Sequence, residues 1–392
     1  MTETYDPLAS VQAAGPPGTI SFIYGLPDPA TFPAEDLRRA ADQVLRERPE
    51  LALQYGPEQG YGPLIDYLRH RLAHEEGLSL ERPQIMLSGG STQALDHLCT
   101  LFSRPGDLVL VEAPTYYETL QLLRDHDLRP LQVPIDDHGI SIDALAQRLE
   151  ALERDSNARA RFLYIIPNFQ NPSGISLSAE RRPALLDLAE RHDLLVLEDD
   201  VYRDLSYGTD VPASLFALDG NNRTLRIGSF SKILAPGVRM GWLMGPEPLI
   251  ERLIGSGLRC MGGGASPWVA NVLAAYCQQG LLEPHIERLR LVYSQRRDAM
   301  LSALATYMPE GVGWTRPGGG IFIWLSLPHP LRAAEVARRA SEAKLLIPVG
   351  DPFFAEQPTG QYLRLAFSYV TRAKIEEGIE ILARVLGALI KE

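Results

Sequence analysis

Lysine is scarce in this 392-residue chain, and one lysine stands where an amine could do chemistry. Of 38 basic residues only four are lysine: Lys232, Lys344, Lys374 and Lys391. Arginine stays protonated and cannot act as an amine nucleophile, so the first 231 residues offer no side-chain amine. Lys232 lies in Ser229-Phe230-Ser231-Lys232-Ile233-Leu234-Ala235-Pro236-Gly237-Val238-Arg239, after an apolar run over 225–229. Apolar neighbours bury an amine, burial favours its neutral form, and a neutral amine forms Schiff bases with carbonyls. The other three lysines fall on exposed helical stretches or at the terminus.

Four further clusters follow short apolar runs, and each has a plain structural reading beside the chemical one. Ser88-Gly89-Gly90-Ser91-Thr92-Gln93 is either a capped glycine turn or an anion cup at a helix N-terminus. It is not a Walker motif, because no Gly-Lys-Ser/Thr follows. Pro114-Thr115-Tyr116-Tyr117 offers a ring that packs in a core or stacks on a flat ligand. Pro167-Asn168-Phe169-Gln170-Asn171-Pro172-Ser173-Gly174 is turn chemistry, or it brings an amide to a ligand. Glu198-Asp199-Asp200-Val201-Tyr202 ends the run LLVL, and buried carboxylates there need a charged partner. A metal is the other reading; no histidine lies near that strand end to support it, His192 preceding the strand.

These parts match the needs of pyridoxal 5′-phosphate. That cofactor takes an imine-forming lysine, an acid that keeps its pyridine nitrogen protonated, donors to its phenolic oxygen, a stacking ring and a phosphate cup. No metal is expected.

The elements that must position these residues follow from the hydrophobic pattern. Residues 84–88, 108–112, 162–166, 194–198, 225–229 and 241–245 are short apolar runs separated by helical stretches. They predict an α/β fold: a large domain with a mostly parallel seven-stranded sheet covered by helices on both faces. Ligands of such sheets bind beyond the carboxyl ends of the strands. From about residue 284 the pattern changes to a long helix ending at 307, strands over 313–316 and 321–325, a helix over 333–343, a strand over 363–367 and a helix over 373–389. The expected organisation is an arm (1–19), a segment packing with the C-terminal part (20–50), a large domain (51–283) and a smaller α+β domain (284–392).

Composition narrows the class. With 45% hydrophobic and 22% charged residues the chain is globular. A net charge of −11 argues against nucleic acid. Cys99, Cys260 and Cys277 are too few and scattered for a disulfide framework or a zinc site, which fits a reducing cytoplasm. No apolar run approaches the roughly 18 residues of a membrane span, and the start MTETYDPLAS lacks signal-peptide character.

The ordered motifs ISFIYGLPDPATFP (20–33), LQYGPEQGYGPL (53–64), SGGSTQALDHL (88–98), EAPTYYETL (112–120), PNFQNPSG (167–174), LEDDVYRDL (197–205), SFSKILAPGVRMGW (229–242), RPGGGIFIWLSLP (316–328) and YLRLAFS (362–368) resemble the class I/II aminotransferases of fold type I. The likeness is to the branch with 2-aminoadipate and kynurenine aminotransferases and the aminotransferase-like domain of MocR regulators. The resemblance implies that Lys232 forms the imine and shuttles a proton, and that Asp199 pairs with the pyridinium nitrogen. Tyr202 and Asn171 would bond the phenolic oxygen, and Tyr116 would stack on the ring. Ser91, Thr92, Gln93, Ser229, Ser231 and Arg239 would hold the phosphate. Tyr55 would reach the phosphate of a neighbouring subunit, implying a homodimer with shared sites. Arg364 would grip the substrate α-carboxylate, helped by Asn171 and the backbone near Gly25.

The implied activity passes an amino group from an L-amino acid to a 2-oxo acid, with 2-oxoglutarate the expected acceptor. Candidate donors are 2-aminoadipate, aromatic amino acids, branched-chain amino acids and glutamate. The alternatives are another reaction of the same cofactor, such as a C–S lyase, and a ligand-sensing module derived from the regulators. Fewer than 20 residues precede ISFIYGLP, so no winged-helix domain is expected. Neither nucleic acid nor membrane is an expected partner.

Overall fold

The computed structural model describes residues 18–154, 159–220 and 223–392; nearly all of the expected arm lies outside them. The strands in chain order are β1 (Ile20–Ser21), β2 (Ile85–Ser88), β3 (Leu108–Ala113), β4 (Arg129–Asp136), β5 (Gly139–Ile140), β6 (Ala160–Ile165), β7 (Leu195–Asp199), β8 (Thr224–Ser229), β9 (Gly241–Met244), β10 (Gly313–Trp314), β11 (Phe322–Leu327), β12 (Leu345–Leu346) and β13 (Gln361–Ala366). The central sheet runs β2-β9-β8-β7-β6-β3-β4-β5. Pairings from β8 through β4 are parallel, while those at β2/β9, β9/β8 and β4/β5 are antiparallel.

The sheet thus has eight strands where the sequence predicts seven and locates six, and its class is as expected. The two strands absent from the sequence reading are β4 and its short partner β5. Pro130 and Pro134 interrupt β4, and Val133 is its only fully buried residue. Proline lacks the N–H that a central strand must donate and is tolerated near an edge. Buried runs announce strands by hydrophobicity, and β4 is not buried enough to do so.

Alternation explains why the central strands are continuously apolar. In β6, Phe162 and Tyr164 join one apolar cluster, and Leu163 and Ile165 join a second. In β3, Val109 and Val111 face the first cluster and Leu110 the second. The helices Ile142–Glu153 and Arg181–Arg191 supply Leu145, Leu149, Leu185 and Leu188 to the second cluster. The helix Ser91–Phe102 supplies Leu95 and Leu98 to the first. A sheet covered on both faces has no solvent side, so polar residues concentrate at strand ends.

Register then aims the site. Tyr164 lies opposite Leu197, and Asp199 opposite Ile227. Side chains two apart share a face, so Tyr164, Asp199 and Ser229 point the same way and Glu198 points the other.

The C-terminal part builds on the antiparallel sheet β10-β11-β13, with the helix Leu282–Tyr307 packed on the helix Arg372–Lys391. The segment 20–50 touches both parts. β1 pairs in parallel with β12, while the helix Ala34–Glu47 packs on the helix Pro267–Gln278. Among the described residues no helix is long and apolar enough to cross a membrane.

Candidate active site

Lys232 sits in the turn after β8 and donates from Nζ to the Gly25 carbonyl at 3.0 Å. Burial lowers its pKa to about 8; Glu118 and Asp199 oppose that shift, while Arg364 and Arg239 add to it. An amine with that pKa is roughly one-fifth neutral near pH 7.4, far more than an ordinary lysine, as its apolar neighbours led us to expect.

The three carboxylates that end β7 have three different duties. Glu198 turns to the far face and accepts from the Leu215 and Phe216 N–H groups, both at 2.9 Å, capping a short helix. Asp200 pairs with Arg226 at 2.7 Å and accepts from Asn168 Nδ2 at 2.6 Å. Only Asp199 remains for chemistry. Its Oδ2 accepts from the Tyr164 hydroxyl at 2.7 Å, and its Oδ1 is buried without a partner. Burial raises its pKa to about 6, and the Tyr164 hydrogen bond and Lys232 pull it down. A bare carboxylate oxygen in an apolar setting calls for a cationic N–H donor. That is what a pyridinium nitrogen is, so the residues present fit the cofactor.

Arg364, on β13, is 4% exposed. Its Nη1 donates to Asn171 Oδ1 at 2.9 Å and its Nη2 to the Ile23 carbonyl. The guanidinium is held between the Phe322 ring (4.5 Å) and the Phe353 ring (4.8 Å). Burial lowers its pKa to about 10, and Nε has no partner. A flat cation clamped between two rings is oriented in advance for a carboxylate. Tyr202 is buried edge-on to Phe322, with centroids 6.0 Å apart, and has Asn171 as a hydrogen-bond partner. Gly25 is required here, because a Cβ would meet the Phe322 ring at 2.2 Å.

At the other end of the site, the helix Ser91–Phe102 begins after Gly90, whose φ is +97°. The first-turn N–H groups of Ser91, Thr92 and Gln93 have no helical acceptor. Arg239, itself left-handed at φ +45°, lies over this turn with Nη2 3.4 Å from the Gly89 carbonyl oxygen. Ser229 and Ser231 are buried nearby in sequence, and Ser229 Oγ accepts from the Ser231 N–H at 3.1 Å. Gln93 spends its amide on the backbone: it accepts from Gly89 N–H at 2.6 Å and donates to the Gly263 carbonyl at 3.1 Å. Its side chain braces this loop, while the resemblance assigns it to the phosphate. Tyr116, at the N-cap of the helix Tyr117–Asp125, donates its hydroxyl to Glu118.

One predicted site residue stands apart. Tyr55 is 82% exposed and lines a separate cavity of about 500 Å³ with Arg259, Gly262 and Trp268. Four participants were not singled out from the sequence: Tyr164, Glu118, Phe322 and Phe353. Tyr164 carried a faint signal, since a tyrosine inside an otherwise aliphatic buried strand must place its hydroxyl on something. Phe322 and Phe353 look like ordinary core residues until Arg364 is seen between them.

A mostly parallel sheet that brings a deprotonatable lysine and a half-satisfied aspartate to its strand ends, with a clamped arginine from the C-terminal antiparallel sheet, defines a pyridoxal-phosphate enzyme of fold type I. The family profile for "Aminotransferase class I and II" matches residues 25–382. An aromatic-amino-acid aminotransferase of Thermococcus litoralis is 36% identical over 373 residues, 95% of this chain and 89% of its own. The 2-aminoadipate transaminase of Thermus thermophilus is 37% identical over 381 residues, 95% of this chain and 91% of its own. The crystal structure of the Pyrococcus horikoshii kynurenine aminotransferase superposes with a TM-score of 0.91 at 38% identity, covering 95% of this chain and 92% of that one. The chain belongs to the class I and II aminotransferases and is a pyridoxal-phosphate-dependent transaminase.

Proposed function

We propose that this transaminase moves the amino group of a neutral, preferentially aromatic, L-amino acid to a 2-oxo acid, with Lys232, Asp199 and Arg364 as the working core. When bound, pyridoxal phosphate supplies a carbonyl for the amine and a protonated ring that draws electrons from the substrate Cα. Asp199 Oδ1 would accept the ring N–H and keep it protonated. Tyr202 and Asn171 would donate to the phenolic oxygen. Tyr116 would stack on the ring, and Ser91, Thr92, Gln93 (through its first-turn N–H), Ser229, Ser231 and Arg239 would hold the phosphate. Lys232 would bind the carbonyl and move a proton at the substrate Cα. Arg364 grips the α-carboxylate and Gly25 offers its backbone, which fixes the Cα–H bond relative to the ring.

The observation that carries this reading is the bare, buried Asp199 Oδ1 on the same sheet face and in the same electrostatic site as the Lys232 amine. The donor class is supported by a chain of rings around Arg364. Tyr117 meets Phe353 at 5.3 Å, Phe353 meets Trp324 at 5.6 Å, and Trp324 stacks on Tyr362 at 5.3 Å. Relatives named for aromatic amino acids and kynurenine support it too. The test is a half-reaction screen: the imine absorption should fall fastest with phenylalanine, tyrosine, tryptophan or kynurenine. Lys232→Ala should lose both the imine band and turnover. Release of pyruvate and ammonia from cysteine conjugates without an acceptor would favour a lyase instead.

We further propose a homodimer with shared sites. Leu51, Leu53 and Tyr55, and Leu258 and Met261 from a second segment, are all exposed, and Leu53 and Tyr55 line the cavity, an arrangement that supports an interface. Tyr55 would then act in the partner's site. We draw the domains at 51–283 and 284–392, with 20–50 bridging them. The absence of paired cysteines supports a cytoplasmic location.

A further inference from the structure

Glu118 is a carboxylate in an unexpected position. It lies in the first turn of the helix Tyr117–Asp125, half-buried, and receives hydrogen bonds from the Tyr116 hydroxyl and, at 2.9 Å, from the Tyr117 hydroxyl. Tyr117 in turn meets Phe353 edge-on at 5.3 Å, and Phe353 covers the Arg364 guanidinium at 4.8 Å. Glu118 also lines a cavity of about 940 Å³ that it shares with Thr92, Gln93, Arg239 and Phe354. The cup residues Thr92, Gln93 and Arg239 thus share a cavity with Glu118, and Tyr117, which also lines it, carries the contact to Phe353 over Arg364. Glu118 is the strongest anionic influence on Lys232, ahead of Asp199, and it also acts on Arg364. Burial raises its own pKa, while Lys232 and Arg364 pull it down.

The roles already assigned leave this carboxylate over. Asp199 serves the ring nitrogen and Arg364 serves the α-carboxylate. Next to the Arg364 clamp, Phe353 leads through Tyr117 to Glu118, so a substrate side chain extending that way from the anchored α-carboxylate would meet this carboxylate. An acidic side chain there brings a second anion toward a fixed, half-buried carboxylate. Like charges at short range in a poorly solvated site repel by several times their value in water. A neutral ring with a hydrogen-bond donor meets an acceptor instead.

We infer that Glu118 is a specificity-determining residue, one that sets this transaminase against substrates with a second carboxylate and in favour of neutral or hydrogen-bond-donating side chains. The inference rests on the transaminase reading and narrows its substrate class. It applies to both half-reactions, so monocarboxylic 2-oxo acids should outperform 2-oxoglutarate as acceptors. Recognition by Glu118 works through charge and shape, and no bond to it forms or breaks.

The test compares Glu118→Gln with the parent holoenzyme. The kcat/KM ratio of 2-aminoadipate to phenylalanine, and of 2-oxoglutarate to phenylpyruvate, should rise by about tenfold or more, since glutamine keeps the volume and loses the charge. Asp125→Asn, in the same cavity mouth, should leave both ratios within about twofold, which separates a local effect from general charge at the entrance. A second measurement needs no turnover: calorimetric binding of unreactive glutarate and hydrocinnamate to the holoenzyme. Glutarate should bind about tenfold tighter to Glu118→Gln, with hydrocinnamate little changed. Unchanged ratios together with unchanged glutarate affinity overturn the role of Glu118. A parent holoenzyme that turns over no neutral donor overturns the proposed donor class instead, and the glutarate titration still judges Glu118.

Discussion

Burial is the force that prepares the reactive side chains, and its sign differs between base and acid. At Lys232 it lowers the pKa from 10.5 to about 8, so the neutral amine gains as pH rises through 8. Imine formation by apoprotein mixed with pyridoxal phosphate should therefore slow roughly tenfold per pH unit below 8 and level off above it. Stopped-flow absorbance checks this, and a flat profile between about pH 6.5 and 9.5 would sink the claim. At Asp199 burial raises the pKa from 3.8 to about 6. The folded-state value exceeds the unfolded one, so the ionised carboxylate costs the apoprotein stability above pH 6, and that cost disappears between about pH 6 and 4 as the group protonates. Asp199→Asn should thus stabilise the apoprotein at neutral pH by up to roughly 3 kcal/mol, while weakening cofactor binding and turnover. Denaturant titration of the apo forms decides it, and an apo variant less stable than the parent would contradict the account. An active-site group that the fold holds at a cost is what a site awaiting a charged ligand requires.

At the scale of elements, the turn before the helix Ser91–Phe102 does the positioning. Gly90 adopts φ +97°, and a Cβ there would meet Arg239 Nη2 at 2.6 Å. Gly241, on β9, presses against the same turn, where a Cβ would come within 3.0 Å of the Gly90 carbonyl carbon. Gly90→Ala should cost roughly 1–3 kcal/mol and weaken the hold on the cofactor phosphate. Gly387→Ala makes the contrast within one protein. Gly387 lies in the helix Arg372–Lys391 with open space around its Cβ, so alanine should add roughly 0.5–1 kcal/mol. Thermal unfolding of the two variants should move in opposite directions; equal shifts would mean that the turn is not strained as argued.

Across the whole molecule, the exposed apolar group around Tyr55 predicts an association that dilution can break. Light scattering should give twice the chain mass at micromolar protein. Tyr55→Ala should loosen cofactor binding more than it changes the fold of one chain, and a strict monomer with full activity would refute shared sites. Much of this organisation was legible early. Short apolar runs marked six strands because a sheet buried on both faces leaves no other composition possible, and the clusters after them marked Lys232, Asp199 and the glycine cup. The strand β4, next to the edge, stayed hidden because its prolines and half-exposed side chains resemble a loop. By itself, the sequence determined the cofactor chemistry, since a single amine amid apolar neighbours and an acid at a strand end leave few reactions open. Only the tertiary structure decided which of three adjacent carboxylates works, through the alternating register of β6, β7 and β8. Only it set Arg364 between Phe322 and Phe353, and Tyr164 against Asp199. Those contacts join residues 11 to 42 positions apart on separate elements, and local pattern carries no information about them.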